Sequence, residues 1–404
     1  MNDPVYGFIT IPYEIIYDLI EHPLVQRLRR IQQLGLSNLV YPGANHSRFH
    51  HALGAVHLMS KAIQVLRSKG HDITDKEAES VTIAILLHDV GHGPFSHALE
   101  STIVTHIDHE QISLIIMEAL NKEFEGKLDT AIEIFKDNYK KRFLHDLVSS
   151  QLDVDRLDYL IRDSYFTGVH EGVVGYDRLI EMMDVVDDEL VIEQKGIYSV
   201  EKFIVARRVM YWQVYLHKTV VCAEQMLIKI LRRAKYLAKA GVELEGTPSL
   251  KYFLENDTDP KSFIPGSPSY EHFALLDDTD IYVALKLWIN SNDQVLSNLS
   301  RALINRKLFK IEMSNKPVPA TRIQEVTNHV RRRYNIEDDF DLQYFVFHDT
   351  TSNSAYTLEN KKIKIKTKEG EVIDVIAASD NLNLMALADT VVKHYLCYPK
   401  SLGE

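Results

Sequence analysis

Apolar residues recur at helical spacing through roughly the first 240 positions, then give way to shorter alternating runs after about position 307. Pro23 opens a predicted helix over 23–33, with Leu24, Leu28, Ile31 and Leu34 on one face and Gly35 at its end. Ser47 suits the N-cap of a helix reaching Lys69, where Gly70 stops it. Thr74 and Glu77 form a capping-box pattern ahead of a helix that ends in the continuous apolar run 81–87. Pro94 suits the first turn of the next helix, and 109–124 and 153–163 are two more. Alternation over 184–200 around Asp187-Asp188 predicts a small β-hairpin, followed by one long helix over 200–240.

The stretch 255–270, with Pro260, Pro265, Gly266 and Pro268, reads as a linker or long loop. Beyond it, 308–313, 343–348, 362–366, 372–377 and 391–398 read as strands, with a helix over 321–334. The run 361–368 alternates Lys with Ile or Thr, the pattern of a charged edge strand. The expected fold class is therefore mainly α. A helical core with a small β-hairpin spans 1–240, a helical connector with a long loop spans 241–306, and a smaller α+β domain spans 307–404.

Composition narrows the function only modestly. With 404 residues, 45% hydrophobic and 25% charged, the chain is long enough for two or three domains with a sizeable core. No apolar stretch reaches the length of a membrane span, and Met1-Asn2-Asp3-Pro4 lacks the regions of a signal peptide, so the expected location is the cytoplasm and no membrane partner is expected. Cys222 and Cys397 fit no CxxC spacing and read as core residues. The net charge of −11 argues against a general nucleic-acid binder, so an anionic substrate must meet a local cluster of Arg and Lys.

His88-Asp89 is the strongest chemical signal. The pair ends the apolar run and precedes Val90-Gly91-His92-Gly93-Pro94-Phe95-Ser96-His97. His-Asp also occurs at 71–72, 145–146 and 348–349, but only 88–89 has a buried-helix signature before it and a Gly-rich, His-bearing turn after it. An imidazole and a carboxylate there can converge on one divalent cation, and the glycines allow close approach of backbone and substrate. Further ligands must come from elsewhere. His51 lies near the start of the Ser47 helix beside Arg48, and Asp155 sits at a helix start where the dipole favours a carboxylate. Taken singly, each of these reads equally well as a hydrogen-bonded histidine or a helix cap.

Seven separated motifs then occur in a fixed order: Asn2-Asp3-Pro4, Gln26-Arg27-Leu28-Arg29, Gln33-Leu34-Gly35, Tyr41-Pro42-Gly43-Ala44, Arg48-Phe49-His50-His51, the segment from His88 to His97, and Asp153-Val154-Asp155-Arg156-Leu157-Asp158-Tyr159. Over about residues 2–220 the chain resembles the HD-domain phosphohydrolases, specifically their deoxynucleoside triphosphate triphosphohydrolase branch. The resemblance implies a helical HD-domain core in which His51, His88, Asp89 and Asp155 bind one divalent transition metal. Mn, Fe, Ni and Zn all suit such ligands, with Mg accompanying the nucleotide.

On the same resemblance, Arg48, Arg156, Arg207 and Lys218 match positions that contact phosphates. His92 is a further phosphate contact, and His97 is the general acid, with Glu100 three residues on to orient it. His109 and Glu110 correspond to pocket residues, although an acidic first helical turn explains Glu110 as well. Tyr159 and Asp163, four apart on one helix face, would hold the deoxyribose, together with Gln33, Leu34 and Tyr215. One departure is Tyr211, which stands ahead of Tyr215-Leu216-His217-Lys218 where a mammalian member has His. Gln26 and Arg29 match residues of a regulatory nucleotide site, and Glu21 stands where a base-reading Asp is found.

The implied reaction converts a dNTP and water to a deoxynucleoside and triphosphate, by a homo-oligomer with a dimer favoured. Two alternatives stay open: an HD phosphohydrolase acting on mono-, di- or cyclic nucleotides, and a non-catalytic nucleotide-binding assembly protein. The second would be expected to lack a ligand or an acid, yet all are present.

Overall fold

The computed structural model describes residues 1–95, 100, 102, 104, 107–357, 362–380 and 384–400. A short helix α1 (Glu14–Glu21) leads into the core. Helix α2 (Arg48–Ser68) starts where Ser47 leaves extended backbone and donates its N–H to His50 Nδ1 at 3.1 Å, and Gly70, at φ +91°, turns the chain away. Helix α3 (Asp75–Leu87) begins in a capping box: Glu77 N donates to Thr74 Oγ1 at 3.2 Å and Thr74 N to Glu77 Oε2 at 2.9 Å. Such caps stabilise by about 1 kcal/mol. Every residue of α3 from Val81 to Leu87 is fully buried, so this helix is the centre of the core and delivers His88 at its C-terminal end. Helices α4 (His109–Glu123) and α5 (Val154–Thr167) follow, and α5 packs across α2. Asp153 caps α5 by accepting from Arg156 N at 2.7 Å.

Two of the predicted helices are broken, each by a long-range demand. The 23–33 helix is a short α-turn, Pro23–Gln26, followed by a 3-10 turn, Arg27–Arg30, after which Gln32 bridges to Ser47. The fully buried Arg27 guanidinium donates to the carbonyls of Leu276, Val90 and His92, fixing the chain just beyond the His88-Asp89 pair. The 200–240 helix is two helices, α6 (Ile197–Met210) and α7 (Lys218–Lys239), separated by a single π-turn over Tyr211–Tyr215. π-Turns cluster at functional sites, and this one points Tyr211 and Tyr215 at a cavity. The helix expected from Pro94 falls largely outside the described residues; Pro94 itself lies in a turn, with Phe95 at φ +49°.

The hairpin is shorter than its alternation suggested. Strands β1 (Met183–Val186) and β2 (Glu189–Glu193) pair antiparallel around Asp187 and Asp188, both at positive φ as a tight two-residue turn requires. Helices α8 (Pro248–Glu255), α9 (Pro268–Leu275), α10 (Asp278–Trp288) and α11 (Gln294–Ile304) follow, and α8 and α11 pack on α7. The proline-rich stretch between α8 and α9 is pinned by fully buried Phe263.

Downstream come β3 (Lys310–Ser314), α12 (Ala320–Tyr334), β4 (Phe347–Asn353), β5 (Lys364–Lys366), β6 (Val372–Asp374) and β7 (Val391–Tyr398). Strand β7 lies between β3 and β4 in an antiparallel sheet. The edge strand expected within 361–368 is, over its described strand Lys364–Lys366, interior. Strand β5 pairs parallel with β2 and antiparallel with β6, giving the order β1-β2-β5-β6. Ile365 is fully buried, while the flanking Lys364 and Lys366 pair with Glu189 and Asp184 of the hairpin. Likewise, 372–377 is strand only to Asp374, which caps a helical turn, Val375–Ala378, and β4 starts at Phe347 rather than at 343. Cys222 and Cys397 are free, buried and in contact where α7 packs beneath the β3-β7-β4 sheet. Among the described residues no helix is long and apolar enough to cross a membrane.

Candidate active site

Three helices bring four side chains together. His51 enters from the start of α2, His88 and Asp89 from the end of α3, and Asp155 from the first turn of α5. His51 Nε2 lies 3.0 Å from Asp155 Oδ1 and 3.9 Å from Asp89 Oδ2. His88 Nε2 lies 3.3 Å from Asp155 Oδ1 and 3.4 Å from Asp89 Oδ1. The other ring nitrogens settle the tautomers. His51 Nδ1 faces Asp158 Oδ2 at 2.7 Å and His88 Nδ1 faces the carbonyl of Ile85 at 2.7 Å; both oxygens only accept, so each Nδ1 carries the hydrogen. Each Nε2 is therefore the ring nitrogen turned to the shared space, beside the carboxylate of Asp155.

The electrostatics point the same way. Burial opposes charge on His51, yet the carboxylates of Asp155 and Asp158 overcome it and push its pKa up to about 10. Burial likewise opposes charge on His88, but Asp89 and Asp155 raise it to about 9. Burial would raise Asp89 and Asp155; the imidazoles around them, joined at Asp89 by Arg48, hold both below the usual carboxylate range. Two carboxylates in a buried pocket thus draw positive charge onto the two inward nitrogens, and a divalent cation that displaces those protons can take the same four groups as ligands. The donor set fits the metal that the sequence resemblance implies.

Beside the cluster opens a cavity of about 420 Å³. Arg48, Asp89, His92, His109, Asp155 and Arg156 line it on the cluster side, joined by Gln33, Leu34, Tyr159, Asp163, Tyr211 and Tyr215. Arg48 Nη1 donates to Asp89 Oδ2 at 2.7 Å. Asp163 is held by His46 Nε2 at 2.7 Å and the Tyr215 hydroxyl at 2.8 Å. Gln33 Oε1 is buried without a hydrogen bond, an acceptor left for a ligand. Behind the cluster, Gly91 lets the start of α4 come close, because a Cβ there would lie 2.3 Å from His109 O and Ser113 N.

Other expectations fare differently. His97 lies outside the described residues. Glu100, expected to orient it, accepts from His109 Nδ1 at 2.9 Å, and the His109 ring stacks on His92 with centroids 3.9 Å apart. Burial and Arg48 drive the His92 pKa well down, so this ring is neutral; His109 is raised against its burial by Glu100. Arg207 is not part of the cavity lining; its guanidinium lies 5.9 Å from the ring of Tyr211, which is. Lys218, at the start of α7, is exposed and does not line the cavity, and Glu110 is exposed in the first turn of α4. Near the N-terminus, Gln26 Nε2 donates to Ile20 O at 2.7 Å, Arg29 donates to Gln26 and lies over the Phe49 ring at 3.7 Å, and Glu21 is exposed at the end of α1.

Residues missing from the sequence reading support the site from behind. Arg162 pairs with Asp158 at 2.9 Å and with Asp3 at 2.7 Å, so the Asn2-Asp3-Pro4 motif closes a buried chain running through Asp158 to His51. His46 steadies Asp163, and Glu224 of α7 lines the cavity. The i,i+3 and i,i+4 spacings of Asp155, Asp158 and Arg162 were the available clue to the first of these.

The HD domain matches residues 48–163, which hold all four converging side chains, and the HD associated region matches residues 174–244. A phosphohydrolase from Bacteroides thetaiotaomicron has a solved structure with 55% sequence identity and a TM-score of 0.94, covering 98% of both chains. The uncharacterized protein YwfO of Bacillus subtilis is 33% identical over 99% of this chain and 92% of its own length. The deoxynucleoside triphosphate triphosphohydrolase SAMHD1 homolog of Dictyostelium discoideum is 34% identical, but the match spans 67% of this chain and only 53% of that protein. With a metal-competent His/Asp cluster at the centre of the matched region, the chain belongs to the HD-domain phosphohydrolases, in the branch that includes the deoxynucleoside triphosphate triphosphohydrolases.

Proposed function

We propose that the protein hydrolyses deoxynucleoside triphosphates to deoxynucleoside and inorganic triphosphate. The observation that carries this reading is the placement of His51, His88, Asp89 and Asp155 at one end of a cavity that also offers Arg48 and Arg156 for phosphates and the Asp163–Tyr215 pair for a sugar hydroxyl. A divalent metal bound by the four ligands supplies Lewis acidity and lowers the pKa of a water molecule. Arg48 and Arg156 bring fixed positive charge to the phosphates, Arg156 being anchored by its Nε on Ser150 O at 2.6 Å. Tyr159 walls the sugar, while the carboxylate of Asp163, already oriented by two donors, keeps lone pairs for a hydroxyl. Neutral His92 can donate one N–H to a phosphate oxygen.

The reaction forms a bond from water oxygen to the α-phosphorus and breaks the bond from that phosphorus to the 5′-oxygen. Water loses one proton and the 5′-oxygen gains one. The family resemblance gives the latter role to His97; among the described residues, His109 lines the cavity with its pKa raised by Glu100.

The test is incubation with each dNTP and Mn, Fe, Ni, Zn or Mg, with separation of products. Triphosphate plus deoxynucleoside is the expected result. Nucleoside mono- or diphosphate as the sole product would refute the bond choice. Light scattering on the same samples measures the assembly, for which a homodimer is expected, and GTP or dGTP added to the assay tests whether Glu21, Gln26 and Arg29 form a regulatory site.

A further inference from the structure

Among the described residues, Glu224 is an acid without a partner. It sits in the second turn of α7 and its side chain lines the catalytic cavity, yet among the described residues it makes no hydrogen bond or ion pair. Burial alone acts on it, pushing its pKa up to about 7. The ligand cluster does not use it, and neither the phosphate-binding arginines nor the Asp163–Tyr215 pair touches it.

Its surroundings define a slot. Gly35 follows Gln33 and Leu34 in the wall, and the point where a side chain on Gly35 would begin lies 3.9 Å from Glu224 Oε1 and 3.9 Å from Phe95 Cδ1. The bare backbone of Gly35 thus leaves open a space flanked by a carboxyl and an aromatic ring. Phe95 is itself held edge-on by Tyr282, with centroids 5.5 Å apart. An unpaired carboxyl in a desolvated wall carries a free-energy cost unless a ligand brings donors to it. A flat ligand that packs on Phe95 while turning N–H groups to the carboxylate is a nucleobase. Both carboxylate oxygens are matched only by a base edge with two adjacent donors, the imino and amino groups of guanine; adenine, cytosine and thymine each leave one oxygen unmatched.

We propose that Glu224 is the base-reading residue of the cavity and selects guanine nucleotides. This rests on the proposed function for its substrate class. The test titrates wild type, Glu224→Gln and Glu224→Asp with dGTP and dATP under chelator, so that no bond is cut, and then measures kcat/KM for both nucleotides with metal. Wild type should favour dGTP about tenfold or more, because a site built to bond N–H groups rejects a base that lacks them. Glu224→Gln, which turns one acceptor into a donor, should reduce that ratio about tenfold, with Glu224→Asp in between. Equal affinity in wild type, a preference for dATP, or a ratio that neither substitution moves would overturn the assignment. If wild type with metal releases triphosphate from no nucleotide, the proposed function fails instead, and the affinities measured under chelator still decide the role of Glu224.

Discussion

The Nδ1 of His51 lies 2.7 Å from Oδ2 of Asp158, so the carboxylate one turn beyond Asp155 on α5 fixes the tautomer of a metal-facing imidazole on α2. Asp158 in turn is braced by Arg162, and both are fully buried. Outer partners of this kind sustain metal affinity by about 10–100-fold. Asp158→Asn is therefore expected to weaken metal binding by that factor, read by titration against a metallochromic chelator. An unchanged affinity would show that the orientation of His51 is held by something else.

The ligand set has a more direct check. His88→Ala or Asp89→Ala removes a group whose only described inward partners are the other members of the cluster and, for Asp89, Arg48 and His92. Elemental analysis should find no stoichiometric metal in either variant, and turnover should vanish. Activity retained in both variants would move the catalytic centre elsewhere.

Gly54 tests the same brace from the other side. In an ordinary helix interior, Gly→Ala is stabilising by roughly 1 kcal/mol. Here a Cβ at position 54 would lie 1.9 Å from Asp158 Oδ1 and 2.2 Å from Arg162 Nη2. The buried ion pair has nowhere to retreat, so the sign reverses: Gly54→Ala should cost about 1–3 kcal/mol in denaturant unfolding, the usual cost of overpacking. A stabilised variant would mean that the pair can shift.

Asp184 ties the hairpin to β5. Burial would raise its pKa, but Lys366 at 2.7 Å, His71 and the N–H of Val185 bring it down to about 2. A carboxylate depressed in the folded state stabilises above its unfolded pKa, near 3.8, and that stabilisation is lost as pH falls towards 2. Because its partner Lys366 is 36% exposed, the effect is discounted to about 1–2 kcal/mol. Asp184→Asn should lose that much at pH 7 and differ little from wild type at pH 2, as followed by urea unfolding. Equal stabilities at pH 7 would show that the ion pair contributes nothing.

Much of the site could be read from order and spacing along the chain. Ser47 and Thr74 announced their helices because capping is chemistry among near neighbours, and the buried run ending at His88 needed only local periodicity. The four candidate ligands lie at the ends of helices that this local chemistry predicts. Partners across the molecule left no such trace. The run 361–368 alternates as a strand wherever it lies, and only pairing of Lys364–Lys366 with β2, some 170 residues upstream, makes that strand interior. The helix expected through Tyr211 breaks because its tyrosines turn to Asp163 and the cavity, and Glu100 bonds His109 because folding brings α4 to it. Nothing near Glu224 in the chain marks it as different from any helix-surface glutamate; only the closing of Gly35 and Phe95 around it strips its water away. Local free energies belong to stretches of a few residues and are written in them, whereas desolvation and long-range pairing belong to the packed whole.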